Sequence, residues 1–143
     1  PLLRTRQTAE AILAEQPKPP AVQHADFLRE VDHGPDEDML EEEIVARIGR
    51  SALDAWETSA TVPPGWIVNP DTRLAAWKEL FAGEDHAQGP TLLVTSNGAA
   101  RFALIALGLA PRKLRTGAFG EFAVEETGRA ELIRWDVRPQ DAA

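Results

Sequence analysis

The chain has 143 residues, 43% of them hydrophobic, and a formal net charge of -8, which fits one folded domain and excludes a disordered chain. The acidic balance argues against general nucleic-acid binding, because phosphate backbones attract Lys and Arg. The absence of cysteine excludes disulfides, thiolate nucleophiles and thiolate zinc sites, and no apolar run is long enough to span a membrane.

Helices dominate the predicted first half of the chain. Residues Thr5–Gln16 have a good helix pattern, which Pro17 ends. The segment Asp36–Arg50 begins with acids and ends with arginines, as the helix dipole favours, and its apolar residues repeat every four positions. The predicted elements of this half are a helix over 5–16, a short strand over 21–28, a helix over 36–50 and a partly helical stretch over 51–68.

A further helix is predicted to begin at Asn69. Asparagine is a preferred N-cap residue, and Pro70 suits the first helical position. The helix is predicted to end near Gly83, before a polar loop that leads to Pro90. The side chains predicted to line its apolar face are those of Leu74, Trp77 and Phe81.

The stretch Thr91–Leu109 is the predicted centre of the fold. Thr91–Ser96 is a short apolar run typical of a buried strand, and Ala99–Leu109 predicts a helix packed deep against a sheet. The small polar junction Ser96–Gly98 would present free backbone N–H groups to an anion, and Arg101 would add a positive charge nearby. Many α/β proteins have such a junction without a ligand, so this stretch alone does not decide whether the junction binds an anion.

The end of the chain has a strand pattern. Lys113–Thr116 is predicted to be a short strand, and Glu121–Glu125 and Ala130–Val137 are predicted to form a hairpin around the turn Glu126–Arg129. The order of elements predicts an α/β fold, a three-layer α/β/α sandwich with a mainly parallel sheet. We expect residues 1–143 to form a single domain.

Three short segments stand in an order and spacing that point to one family. The segment Pro1–Glu10 contains Leu, any residue, Arg4 and then Gln-Thr-Ala at the start of a helix. Leu28–Gly34 has a glutamate with a glycine four residues later, and Val94–Arg101 ends a predicted strand and begins a predicted helix. Together these segments resemble the histidine phosphatase superfamily, in the branch that includes the phosphoglycerate mutases. The resemblance implies a phosphoglycerate mutase-like fold.

The resemblance also implies roles for particular residues. Arg4 would bind the transferred phosphoryl group, and Glu30 would donate a proton to the leaving oxygen. Ser96, Asn97 and Gly98 would bind the same phosphate. These roles are chemically reasonable, because positioned arginines neutralise phosphoryl charge and a leaving alkoxide needs a proton. No cofactor and no metal are implied.

Two features depart from the family's pattern. The family opens with a strand ending in Arg-His-Gly, whose histidine becomes phosphorylated, and none of His24, His33 and His86 stands in such a motif. Ser96 replaces the family's second phosphate-pocket histidine, and serine cannot carry a positive charge. The resemblance implies that the Arg-His-Gly strand belongs at the centre of the sheet, so the domain is expected to be N-terminally incomplete, and whether such a motif exists upstream stays open. We expect residues 1–143 alone to be inactive.

Three functional hypotheses follow from these observations. The first is an enzyme that, as the full-length protein, hydrolyses a phosphate ester through a phosphohistidine whose histidine is not in this chain. The second is a catalytically inactive relative that binds a phosphorylated ligand or a protein. The third is an α/β domain whose motifs match by chance. We expect the chain to bind a small phosphorylated substrate or inorganic phosphate, to bind neither nucleic acid nor a membrane, and to be cytoplasmic. The identity of the substrate and the formation of a homodimer stay open.

Overall fold

The structure, a computed structural model, describes residues 2–83 and 89–141 of the chain. Most of the predicted polar loop before Pro90, including His86, therefore lies outside the described residues. Within the described residues, five α-helices and one hairpin form most of the regular structure. They are α1 (Leu3–Ala14), α2 (Glu41–Ile48), α3 (Arg50–Ser59), α4 (Pro70–Ala82), α5 (Asn97–Ala106), β1 (Phe119–Val124) and β2 (Ala130–Val137).

Helix α4 confirms the predicted start and stop signals. Asn69 is the N-cap residue, Pro70 begins the helix and Gly83 is the C-cap residue. Asn69 does not make a side-chain capping bond but takes a left-handed backbone conformation with φ of 53°, which asparagine tolerates better than most residues. Trp77 and Phe81 are buried on the predicted apolar face.

Helix α5 confirms the predicted buried helix, although the parallel sheet on which it was expected to pack is not seen among the described residues. Ser96 is its N-cap residue, with extended backbone, and every residue from Gly98 to Leu104 is buried. Gly108 follows the helix with φ of 75°, a conformation that glycine adopts without strain. The helix packs against α4, so the centre of the molecule is a pair of helices.

The C-terminal hairpin is confirmed as well. Strand β1 pairs antiparallel with β2, from Phe119 opposite Val137 to Val124 opposite Ala130. The register is irregular next to Gly120, and a Cβ atom there would lie 2.7 Å from a ring carbon of Trp135. A glycine at this position therefore lets the indole ring lie across the strand.

The predicted parallel sheet is not seen. Among the described residues the only sheet is the antiparallel hairpin, and residues 21–28, 91–96 and 113–116 are not strands. A strand exists only through a ladder of backbone hydrogen bonds to a neighbour, and here side chains take the place of such a ladder. Thr95 Oγ1 donates to the Leu28 carbonyl oxygen at 2.7 Å, and Leu114 N donates to Asn97 Oδ1 at 2.8 Å.

The predicted helix over 36–50 is shorter and interrupted. Helix α2 begins at Glu41, and α3 begins at Arg50 after Gly49, whose φ of 84° breaks the helical path. Asp36 lies in a separate 3-10 turn. Leu40 is 63% exposed, so the four-residue repeat does not form one buried face. Sequence periodicity did not reveal the break, because it depends on the conformation of one glycine.

The hydrophobic core lies where α4 and α5 meet the segment 27–31. Trp77 on α4 is central to it, with ring centroids 5.3 Å from Phe27 and 5.7 Å from Phe81. The core therefore fixes the segment that contains Glu30 against the beginning of α5. Its main buried side chains are those of Leu28, Val31, Trp56, Val68, Trp77, Phe81 and Phe102.

Candidate functional site

A cleft of about 930 Å³ brings together most of the residues predicted to bind phosphate. Arg4, Glu30, Ser96 and Asn97 all border it. Gly98 does not border the cleft itself but contacts the Glu30 side chain. These residues come from three segments far apart in the sequence, so only the tertiary structure brings them to one place.

Arg4 is an exposed cation at the edge of the cleft. It lies in the first turn of α1, where Thr8 Oγ1 donates to its carbonyl oxygen at 3.0 Å. Its guanidinium forms no ion pair with any residue in the described ranges. A cation in the first turn is opposed by the helix dipole, so Arg4 would gain from an anion bound in the cleft.

Glu30 is half-buried, and its carboxylate faces the first turn of α5. Its Oε1 atom accepts a hydrogen bond from the Val31 backbone N–H at 2.9 Å. A Cβ atom added to Gly98 would lie 3.2 Å from Glu30 Cδ and closer still to Oε1. Any larger residue at position 98 would therefore compete with the Glu30 carboxylate for the same space.

The beginning of α5 presents unpaired backbone donors. The first intrahelical bond runs from Ala100 N to Ser96 O at 2.9 Å, so the N–H groups of the preceding residues of the helix have no helical partner. The Ser96 side chain does not cap them. Asn97 Oδ1 accepts from Leu114 N, so the Asn97 side chain fixes the segment after α5 and leaves its backbone N–H as the group for an anion.

A buried arginine stands behind the segment that contains Glu30. Arg73 on α4 is only 9% exposed, and burial lowers the pKa of its guanidinium, an effect that the negative charge of Glu30 opposes. The carbonyl oxygens that accept from it are those of Val68 (2.7 Å), Phe27 (2.9 Å), Arg29 (2.7 Å) and, at longer range, Glu30 (3.5 Å).

Sequence analysis missed Arg73, although one signal was present. Arg73 stands four residues before Trp77, so both side chains project from the same face of α4. A charged residue in an otherwise apolar face is rarely buried without partners. The spacing therefore pointed to a buried hydrogen-bond donor at position 73.

Arg101 does not contribute positive charge to the cleft, contrary to the sequence prediction. Its guanidinium is buried against α3, where Nη1 donates to the Trp56 carbonyl oxygen at 2.9 Å and Nη2 lies 3.3 Å from Glu57 Oε1. The cleft borders Ala100 and Ala103 of α5. Because successive residues turn by about 100° around a helix, Arg101 projects away from that face.

Neither described histidine lies at the cleft. His24 is exposed, and His33 packs edge-to-face on Trp66 with Nδ1 3.2 Å from Glu37 Oε1. His86 lies outside the described residues. The described part of the chain therefore supplies the cleft with two arginines (Arg4 and Arg115), two glutamates (Glu30 and Glu121) and backbone donors, but with no histidine.

A buried carboxylate stabilises the loops next to the site. Asp36 accepts hydrogen bonds from two nitrogen atoms of Arg47 and from Trp66 Nε1. The Arg47 hydrogen bonds, more than any other factor, hold the pKa of Asp36 below its ordinary value of 3.8, although burial opposes them. Arg47 also donates to the Pro64 carbonyl oxygen at 2.9 Å. This network links three segments and has a structural role.

Two other kinds of feature are absent from residues 2–83 and 89–141. No cluster of three or more metal-binding side chains is present in these ranges. None of their helices combines the length and the apolar character that crossing a membrane requires.

One known protein family matches most of the chain. The model of the histidine phosphatase superfamily (branch 1) matches residues 1–131. The matched span includes Arg4, Glu30 and the junction Ser96–Gly98. Searches of curated proteins and of solved structures each found no significant match.

Proposed function

The chain belongs to branch 1 of the histidine phosphatase superfamily, and on that premise we propose that it hydrolyses a small phosphate ester through a phosphohistidine. The superfamily indicates phosphoryl-transfer hydrolysis in general. The observation that carries the specific proposal is that Arg4, Glu30 and the beginning of α5 border or adjoin one cleft.

In the proposed first step, a histidine nitrogen attacks the phosphorus atom and the bond to the ester oxygen breaks. Glu30 gives its proton to that oxygen, so the leaving group departs as a neutral alcohol. Arg4 and the free N–H groups of α5 stabilise the charge on the phosphoryl oxygens. In the second step, a water oxygen attacks the phosphorus atom of the phosphohistidine, Glu30 takes up a proton from that water, and the bond from phosphorus to the histidine nitrogen breaks, so inorganic phosphate leaves and the histidine is regenerated.

The nucleophilic histidine of this proposal is one in an Arg-His-Gly motif, and none of His24, His33 and His86 stands in such a motif. His24 and His33 are both away from the cleft. Ser96 does border the cleft, but no histidine among the described residues is placed to act as its base.

A second function is favoured by one specific observation, the serine at position 96. If the protein is a catalytically inactive relative, the cleft would still bind a phosphorylated ligand or a protein partner through Arg4 and the N–H groups of α5. The two functions differ in turnover and not in phosphate binding. An inactive relative would bind phosphate with a dependence on Arg4 but would release none from any ester.

The full-length protein offers a matched pair of variants to test the site. Arg4 and Arg6 are both exposed near the start of α1, but only Arg4 borders the cleft. We expect Arg4→Ala to weaken inorganic phosphate binding and to lower kcat/KM by 10²-fold or more, since removal of one donor to a developing charge costs about that much. Arg6→Ala should change both quantities less than about threefold, because Arg6 makes no cleft contact. Equal effects of the two variants would contradict the assignment of the cleft.

The role of Glu30 is tested by the choice of leaving group. We expect Glu30→Gln to slow hydrolysis of alkyl phosphates far more than that of aryl phosphates, because a phenolate leaves without a proton and an alkoxide does not. Kinetics with one substrate of each kind measure the ratio. Equal losses on both substrates would assign Glu30 to binding or structure.

A further inference from the structure

We propose that Arg73 is a positioning residue that fixes the Glu30 carboxyl group at the beginning of α5. This inference rests on the proposed role of Glu30 as proton donor. Arg73 does not border the cleft. It acts through the backbone of the segment 27–30, to which it is hydrogen-bonded.

The carbonyl groups of residues 27–29 accept hydrogen bonds from side chains instead of from a neighbouring strand. Arg73 donates to the carbonyl oxygens of Phe27 and Arg29, and Thr95 donates to that of Leu28, which lies between them. Buried backbone carbonyl groups need such partners. Two side chains thus do the work that a neighbouring strand does in a regular sheet.

The geometry of Arg73 makes it more than a source of charge. Its Nε atom donates to the Val68 carbonyl oxygen, immediately before α4, while Nη1 reaches two carbonyl groups of the segment 27–30. The guanidinium also lies 5.9 Å from the centre of the Phe102 ring on α5. A planar group with five donors in fixed directions can hold these positions together, whereas an ammonium group on a flexible stem cannot.

Arg73 therefore links the two halves of the candidate acid site. One half is the segment that contains Glu30, and the other is the beginning of α5, where the carboxylate contacts Gly98. Residues 26–28 and helix α5 both pack on α4, which contains Arg73. Loss of the guanidinium leaves several carbonyl groups without donors, so the segment must shift to satisfy them. A displacement of about 1 Å at a reacting group can lower a rate about 10²-fold.

The chain contains a control for the general effect of removing a buried arginine. Arg101 is 1% exposed, and its guanidinium donates to the Trp56 carbonyl oxygen, away from Glu30. Arg101→Met and Arg73→Met both remove a buried guanidinium from the core. Only Arg73→Met removes donors from the segment that contains Glu30.

The test uses the full-length protein with one alkyl and one aryl phosphate. We expect Arg73→Met to lower kcat/KM for the alkyl substrate at least tenfold more than for the aryl substrate, as Glu30→Gln does. Arg73→Lys keeps the charge and should show most of the same loss. The double variant Arg73→Met/Glu30→Gln should be no slower on the alkyl substrate than Glu30→Gln alone, because both changes remove one function. Arg101→Met should lower Tm without changing the alkyl-to-aryl ratio.

Equal losses on both substrates, or full activity in Arg73→Lys, would overturn the inference. If Arg73→Met does not fold, Thr95→Val provides the test. Thr95 also borders the cleft, but valine keeps its shape and removes the donor to Leu28, so the ratio should shift in the same direction by a smaller factor. An unchanged ratio in that variant would contradict positioning through the backbone.

A readout independent of activity separates this inference from the proposed function. The Val31 amide donates to Glu30 Oε1, so its NMR resonance reports the carboxylate position. We expect the resonance in Arg73→Lys to move towards its position in Glu30→Ala. If the wild type hydrolyses neither ester, the proposed function fails, and the Val31 resonance still decides the position of Glu30. A resonance unchanged from the wild type would refute the role of Arg73.

Discussion

Replacement of Gly98 by alanine tests the contact between α5 and Glu30. In an ordinary helix interior this change would stabilise by about 0.5–1 kcal/mol, because glycine loses more backbone freedom on folding. Here the added Cβ atom would lie 2.9 Å from Val31 Cγ2 and 3.2 Å from Glu30 Cδ. Non-bonded carbon atoms prefer separations of about 3.5–4.0 Å, so both side chains must move away from the added Cβ atom. The Glu30 carboxyl group must move by about 1 Å.

We expect the steric cost to exceed the gain in helix propensity. Overpacking of a core typically costs about 1–3 kcal/mol, so Gly98→Ala should lower the free energy of unfolding despite the better helix former. Under the proposed function, the displaced carboxyl group should lower alkyl phosphate turnover of the full-length protein about 10²-fold. Aryl phosphate turnover should change less, because it depends less on the proton.

The assay is a double-mutant cycle in urea unfolding. Gly98→Ala is measured in the wild type and in Glu30→Ala, where the carboxyl group is gone and only the contact with Val31 stays. The cost should be smaller in the second background by about 1 kcal/mol or more, a coupling typical of residues in contact. Additive effects would refute the reasoning, since they would mean that residue 98 and the Glu30 carboxyl group do not share the same space.

Three further predictions follow from the structure. Asp36→Asn should lower Tm at pH 7, whereas Asp38→Asn, at an exposed residue, should change Tm little at that pH. Because the folded-state pKa of Asp36 is depressed below 3.8, the stability that Asp36 contributes is present above pH 3.8 and is lost as the pH falls through the folded-state pKa. The difference in Tm between Asp36→Asn and the wild type should therefore narrow in acid. Phe102→Ala should lower the free energy of unfolding by about 3–5 kcal/mol, because Phe102 is 1% exposed, whereas Val22→Ala, at a residue 48% exposed, should cost less than about 0.5 kcal/mol in the same urea titration. Residues 1–143 alone should release no phosphate from either ester, and an acid-labile phosphohistidine on this chain would show that His24, His33 or His86 is the nucleophile after all.

Local sequence patterns were sufficient to predict the elements that depend on neighbouring residues in the chain. The start of α4 depends on Asn69 and Pro70, and the hairpin depends on two short runs around a turn. Helix α5 is apolar almost all round, so its burial could be predicted wherever its partners lay. The motifs with Arg4 and Glu30 were also visible in the sequence, and the family match supports that identification.

The sheet could not be predicted in the same way. An apolar run such as 91–96 shows that a segment is suited to burial, but whether it becomes a strand depends on a second segment with which to form hydrogen bonds. In the described residues Thr95 uses its side chain, and not a ladder, to reach Leu28. The sequence contained both residues and gave no indication that they would meet.

The two buried arginines show most clearly what the sequence determined and what the tertiary structure decided. From the sequence, Arg101 stood in the motif and was expected to add a positive charge near that of Arg4, while Arg73 was an unremarked helical residue. In the folded chain Arg101 binds α3, and Arg73 binds the segment that contains Glu30. The sequence determined that helices would form at both positions, because helix formation depends on neighbours along the chain. The packing of α4 against α5 decided which carbonyl groups each guanidinium could reach, because a hydrogen bond depends on distance and direction in space.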